Sequence, residues 1–450
     1  MPILRFLRTV ALAAALLPAV ARAQGVDLQL PATFVAPNFD RVFVGVAEAH
    51  EAGAYLVRTG GPAATWYNPA GMAQVDRTSV SVNVRGGQLE ILSLGAQVPN
   101  RVQVTGLDVL PLFASLVLGG DLLPWDDVRI GFSGTQQTSW DVLAWWGGSD
   151  ADGHWGYVSD SSLSSYVLSG SVAWAVSPQV RLGAGLGVSW TRLYLNERLT
   201  ALVAPGDVQG TIRSRLLSGL AYHLVPSAGV QWEPAGWLAL GAVVRAPALR
   251  VWQNATVQAE RQDTTATSTR DSFTQSGSAD FDFRYPLELQ GGAALRGEKW
   301  ELELDARYHA SSGSYDLVRS SNPVQAVTTP PGGPPVTSPF QPIRYQGRAV
   351  VDLALGGSWA AGRAVRLHGG AYASPSPVAA GSAYFRQIDL YGLRAGVSYE
   401  GERFSGSVGL GWETGRSSAS SGLAGVRPTP IDDSFRYDKL SVALAGEYRR

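Results

Sequence analysis

Side chains able to do covalent chemistry are sparse in this 450-residue chain. Cysteine is absent, which removes thiolate metal sites and disulfide frameworks. Five histidines stand at His50, His154, His223, His309 and His368, and none makes a pair at metal-ligand spacing. A hydrolase would need a serine and a histidine together on the outer wall face, and Ser218 with His223 is the one pair near enough in sequence to consider. The charges say more. Asp282, Arg284, Glu288, Glu301, Glu303, Asp305, Arg307, Arg348 and Asp352 recur on neighbouring segments. Inside a narrow interior such groups either neutralise one another, because an unpaired charge there is costly, or leave Arg284, Arg307 or Arg348 to hold a ligand carboxylate. A third group is aromatic: Trp140, Trp145, Trp146 and Trp155 suit either first capture of a hydrophobic molecule or a seat in an interfacial girdle. These residue types give no reason to expect enzyme activity, a cofactor or a metal.

The elements that must position these groups are strands. At 180–190, Val180, Leu182, Ala184, Leu186, Val188 and Trp190 fall on one parity, opposite Arg181, Gly183, Gly185, Gly187 and Ser189. Successive residues of a strand point to opposite faces, so one face is greasy and the other small or polar. The split recurs at 300–310, with Trp300, Leu302, Leu304 and Tyr308 against Glu301, Glu303, Asp305 and Arg307. It recurs at 281–295, where Phe281, Phe283, Tyr285, Leu287, Leu289 and Leu295 are expected outside and Asp282, Arg284, Glu288 and Gln290 inside. Segments 348–359, 404–413 and 436–448 follow the same rule.

Connectors alternate in length. Ser177-Pro178-Gln179, Gly297-Glu298-Lys299 and Glu400-Gly401-Glu402 are tiny, whereas 196–221, 259–279, 316–344 and 415–434 are long and polar. A transmembrane antiparallel up-and-down β-barrel has this asymmetry, with tight periplasmic turns on one rim and extended loops on the other. The pattern predicts about fourteen strands, starting near 78, 108, 128, 164, 180, 222, 237, 280, 299, 345, 364, 386, 403 and 436. A β-sandwich would show shorter strands and similar turns at both ends. Charged residues are only 16% of the chain and the net charge is −1, which argues against nucleic acid as a partner.

The N-terminus predicts export. Arg5 and Arg8 precede an apolar run, and Ala21-Arg22-Ala23 is a small-x-small cleavage site, so residues 1–23 read as a cleaved signal peptide. Residues 24–76 are weakly helical and mixed, a plug that fills the lumen, and 77–450 form the barrel. The outer membrane of a bacterial cell is the implied location.

The segment "ATWYNPAGMAQV", preceded by "RVFVGVAEAHEAG" and followed at once by a strand, resembles the N-terminal hatch of FadL-type outer-membrane transporters of long-chain fatty acids and hydrocarbons. Asn68, Pro69 and Ala70 match that family's hatch signature, and "YPLELQGGAALRGEKWELELDARY" and "VRLHGGAYASPSPV" resemble its paired strands and Ser-Pro loop. The resemblance implies passive uptake with sideways exit through a gap in a kinked third strand, here Val128 to Trp140. Gly131 and Gly134 would supply the break, or else simply allow close packing of the lumen contents. It implies as partners outer-membrane lipids, a hydrophobic small molecule and the barrel assembly machinery, with the barrel a monomer. The same architecture used as a scaffold or secretion partner is the alternative. A terminal aromatic usually closes such barrels, whereas here Tyr448 is followed by Arg449 and Arg450.

Overall fold

A computed structural model describes residues 38–39, 42–94, 101–103, 110–150, 153–203, 208–265, 269–320, 326–329, 334, 336–338, 342–380, 382, 385–417 and 434–450. The signal segment and the first part of the plug lie outside the described residues. Strands β1 (Ser79–Leu94), β2 (Leu110–Leu118), β3 (Val128–Asp150), β4 (Gly153–Ala175), β5 (Val180–Val203) and β6 (Val208–Ala235) run continuously. Four strands are each made of two collinear pieces: β7 (Leu238–Arg245, Leu249–Thr265), β8 (Thr269–Phe281, Glu288–Arg296), β9 (Trp300–His309, Gly313–Ser320) and β10 (Ile343–Gly347, Val350–Ala360). Next come β11 (Val365–Ser374), β12 (Asp389–Glu400), β13 (Phe404–Ser417) and β14 (Phe435–Arg449). Each pairs antiparallel with the next, and β14 pairs with β1 from Ser79↔Arg449 to Leu94↔Phe435, so the fourteen-stranded sheet is closed. Closure leaves no unpaired edge, the condition a sheet must meet in hydrocarbon.

The outer face is the apolar parity of the sequence. Leu182, Leu186, Leu302, Leu304, Leu353, Leu410 and Leu444 are exposed, and a row of Trp174, Trp232, Trp237, Trp300, Trp359, Phe404 and Tyr448 encircles the short-turn rim. Leaving so many large side chains in water would forfeit about 1.5–3 kcal/mol each, so this surface requires lipid. The turns of that rim are closed by single bonds such as Gly297 N→Trp300 O (2.8 Å) and Gly401 N→Phe404 O (2.9 Å).

Wall height is uneven. β3 to β6 run 23, 23, 24 and 28 residues, against 10, 12 and 14 for β11 to β13. Much of what the sequence suggested as long connectors, including 208–221 and 269–279, is therefore strand rising beyond the lipid. These polar stretches stay paired because their inward side chains bond across the ladder, as in Thr211 Oγ1→Asp263 Oδ1 (2.6 Å) and Tyr157 Oη→Glu197 Oε1 (2.9 Å).

One face assignment is overturned. Phe281 and Phe283 are buried inside the barrel, whereas Leu289 and Leu295, on the same parity, point outward. The segment 282–287 between the two pieces of β8 leaves the ladder, and it contains Pro286, which has no N–H to donate. Inward and outward parity exchange across that break.

Candidate functional site

The described part of the segment ahead of β1 runs inside the barrel. It holds a single 3₁₀ turn at Glu48–His50, a short helix α1 (Ala64–Tyr67) and a second 3₁₀ turn at Pro69–Gln74, with no longer helix between 42 and 55. Asn68 starts that last turn: its Oδ1 accepts from Ala70 N (3.1 Å), and Pro69 occupies the first position, where a missing N–H costs nothing. The amide nitrogen of Asn68 donates to Leu56 O and to Val230 O of β6, both at 3.1 Å, so one side chain ties two parts of the segment to the wall. A Cβ at Gly183 would collide with the backbone of Pro69 and Ala70, and one at Gly229 with Asn68 Oδ1. Glycine on β5 and β6 thus admits the Asn-Pro-Ala turn.

Polar groups on many strands meet this segment. Glu303 of β9 accepts from Val57 N (2.6 Å), Arg58 N (3.2 Å) and Arg58 Nε (2.8 Å), and Arg58 also pairs with Glu51. Glu51 in turn meets His368 Nδ1 of β11 (2.7 Å), whose Nε2 contacts Ser398 Oγ of β12 (2.8 Å). His50 reaches Ser407 on β13 (2.9 Å), Asn83 on β1 makes two bonds to Gly45, and Arg245 on β7 donates to Trp66 O (2.6 Å). Burial raises the Glu48 carboxyl to about 7, assisted by the negative charges of Glu447 and Glu51. The lower lumen is therefore a dense, hydrogen-bonded polar packing.

Above it the inward parity turns apolar. Trp140, Trp155, Leu193, Leu195, Leu217, Val257, Phe281, Phe283, Tyr315, Tyr345 and Phe385 form one buried cluster across β3 to β10 and the 375–388 connector. Rings link it downward: Phe281 to Phe283 (6.2 Å), Phe283 to Tyr285 (5.3 Å), and Tyr285 to Phe39 (6.3 Å). Phe39 and Phe43 then border a narrow cleft of about 30 Å³, room for about one water, against Asp305, Arg307, Tyr372 and Leu390. A packed apolar column thus ends at the inner segment beside a few polar groups.

The pairing of β3 changes beside this column. β2 pairs with β3 from Leu118↔Ile130 up to Phe113↔Thr135, and beyond Thr135 the described residues of β3 are laddered to β4 alone. The register slips between Gln136 and Thr138, leaving Gln137 as an extra residue, which bends a strand. Thr138 Oγ1 contacts Asn38 O (3.4 Å), so the described residues ahead of β1 touch the bend. Gly131 and Gly134 sit below it in regular pairing: Gly131 lies beneath Met72 and Thr65, and Gly134 faces Leu168.

The other sequence candidates are scattered. Trp140 and Trp155 face inward, Trp140 against Tyr437 at 4.8 Å, while the side chains of Trp145 and Trp146 lie outside the described residues. Arg307 lines the cleft with its Nε 3.7 Å from Glu288. Arg284 is half exposed, paired with Asp282 (2.7 Å) and stacked over Tyr315 (4.4 Å). Arg348 is tied to Ser376 O (2.9 Å) and Asp389 (3.5 Å) in the break between the two pieces of β10. His223 is buried inward, while Ser218 lies on the opposite parity of β6, so the two form no catalytic pair. What sequence reasoning missed is the apolar upper lumen. Its signal was Leu193, Leu195 and Leu199, which continue the inward parity of β5 with large aliphatic residues.

A profile of the family described as outer membrane protein transport protein (OMPP1/FadL/TodX) matches residues 41–404. Among solved structures, a Pseudomonas aeruginosa FadL homologue aligns with a TM-score of 0.60 at 14% identity, covering 92% of this chain and 99% of that one. The Pseudomonas putida toluene transporter TodX aligns at 0.57 and 14%, covering 91% and 99%. The CymD monoaromatic hydrocarbon channel aligns at 0.56 and 13%, covering 92% and 99%. No curated protein matches the sequence. At these identities the structures are evidence for the shared barrel fold.

Proposed function

This chain belongs to the OMPP1/FadL/TodX family of outer membrane transport proteins, and on that premise we propose that it passes long-chain fatty acids or related hydrocarbons across the outer membrane by passive diffusion. The family is one of channels for hydrophobic compounds, not of enzymes. The observation that carries the finer reading is the buried apolar cluster on the inward parity, which leads to the cleft at Phe39 and Phe43. A water-filled pore would line that depth with polar side chains.

In this reading the solute descends along Leu193, Leu217, Phe281 and Phe283. It halts above the narrow cleft, where Arg307 meets a carboxylate if the ligand carries one, and leaves sideways between β2 and β3 above Thr135. Sideways exit has an energetic reason, since each methylene kept out of water is worth about 0.8 kcal/mol. The segment 42–76 acts as the plug that blocks straight descent. Arg284 and Arg348 serve the wall, because each already faces an aspartate.

Entry of a fluorescent long-chain fatty acid and of toluene into liposomes holding the purified barrel tests this. Faster entry than in empty liposomes, slowed by Leu217→Arg, is the expected result. Equal entry with and without the barrel for both solutes would sink it.

A further inference from the structure

We propose that the outer face of β13 and β14 binds the phosphorylated headgroup of a lipid in the surrounding outer leaflet, between Arg416 and Arg436. The outward parity of the two strands is legible rung by rung. Phe404 faces Tyr448 at the short-turn rim, Trp412 faces Leu440 at the top of the apolar column, Thr414 faces Asp438, and Arg416 faces Arg436. Both arginines are exposed. Two like charges set directly opposite on antiparallel strands destabilise the pair, unless an anion lies between them.

Nearby carboxylates do not settle this repulsion. Asp438 engages Arg436 through two contacts, at 2.7 and 3.1 Å, and leaves Arg416 untouched. On the other side of Arg416 its ladder partner is Asp389, whose Oδ1 already accepts from Ser376 N (2.8 Å) and meets Arg348 (3.5 Å). Among the described residues no hydrogen bond or ion pair includes Arg416. Two adjacent guanidiniums, one of them without a partner among the described residues, suit a phosphate, which accepts bidentate bonds from each.

Depth decides the source of that phosphate. The arginines lie four residues beyond Trp412, about 13 Å along the strand and about 10 Å in height at the tilt of such barrels. That is the headgroup layer above the hydrocarbon, with the exposed column of Val408, Leu410 and Leu440 below it for acyl chains. This inference needs the barrel to sit in its membrane and does not depend on what the lumen conducts.

The full barrel, extracted from outer membranes in mild detergent, is examined by native mass spectrometry for retained phosphorylated glycolipid. R416A/R436A and R416K/R436K are compared with it. Wild type is expected to hold lipid, the double alanine roughly fivefold less, and the double lysine an intermediate amount, since lysine keeps charge without the bidentate fork. Equal retention by wild type and double alanine overturns the proposal, and so does release of the lipid by inorganic phosphate alone. If the alanine variant fails to run as a closed barrel on an unheated gel, wild type is reconstituted with the phosphorylated or the dephosphorylated form of one glycolipid. A higher melting midpoint with the phosphorylated form supports the site, and equal midpoints overturn it.

Discussion

The lower and upper lumen are walled by the same strands, in the same alternation, with opposite chemistry. Below, inward positions are Glu303, Asp305, Arg245 and His368, or glycines such as Gly183 and Gly229 that let the backbone of the plug segment touch the wall. Above, the inward positions of β5 and β6 become Leu193, Leu195 and Leu217. A short segment rich in exposed backbone polar groups can be held only by partners that satisfy them. A hydrophobic solute needs the reverse, a surface that asks for no hydrogen bonds. The two halves therefore fail in different ways when altered.

The largest effect is expected from Arg58→Met. It leaves Glu51 and Glu303 buried without their counter-charge, a change that costs about 3–5 kcal/mol. Residues 42–76 should then lose protection in hydrogen exchange and become open to protease from the short-turn rim. Unchanged protection would erase the distinction between a polar, bonded lower lumen and a merely filled one.

Acidity should move the same segment. Seated, Glu48 holds its proton up to about pH 7, whereas in water it releases it near 4.5. Between those values the displaced form of this group binds fewer protons, so its contribution to seating weakens as pH rises through that window, by up to about 3 kcal/mol, and is greatest below it. His50 in the same segment is held down to about 4 by burial and favours seating as pH rises over much of that window, so the Glu48 effect is read as a difference. Protection factors corrected for intrinsic exchange should fall with pH in wild type relative to Glu48→Gln between about pH 4.5 and 7. Identical pH profiles for the two would exclude it.

The upper lumen should answer through the ligand instead. Leu217→Asn sets an amide in the apolar path and is expected to weaken binding of a long-chain acid about tenfold, or about 1.4 kcal/mol, with plug protection unchanged. If plug protection changed as much as binding, the two halves would be one cooperative unit. The smallest effect belongs to Arg348→Gln. Its pair with Asp389 is 40% and 41% exposed and 3.5 Å long, so its loss should cost about 0–1 kcal/mol in thermal unfolding and leave ligand affinity alone.

Much of the wall was legible residue by residue. Trp300, Leu302 and Leu304 point to lipid and Glu303 and Asp305 inward, as their alternation predicts, and the tiny connectors are the short rim. Legibility failed wherever a ladder was interrupted. Phe281 and Phe283 keep the rhythm of Leu289, yet face inward, because the break at 282–287 resets the parity and nothing in the alternation marks the slip. The polar stretches at 208–221 and 269–279 were read as connectors because strand above the membrane has no apolar face to announce it.

Lipid acts on each strand separately and with a period of two, so closure, the wall faces of uninterrupted strands and the short-turn rim followed from the order of residues alone. Which inward side chain meets the segment 42–76 and which lines the apolar upper lumen was decided by register and by the path of a segment 245 to 317 positions away in sequence, as between Arg58 and Glu303 or Glu51 and His368. Contacts of that span depend on how the strands line up around the barrel, and alternation along one strand carries no information about its neighbours' stagger.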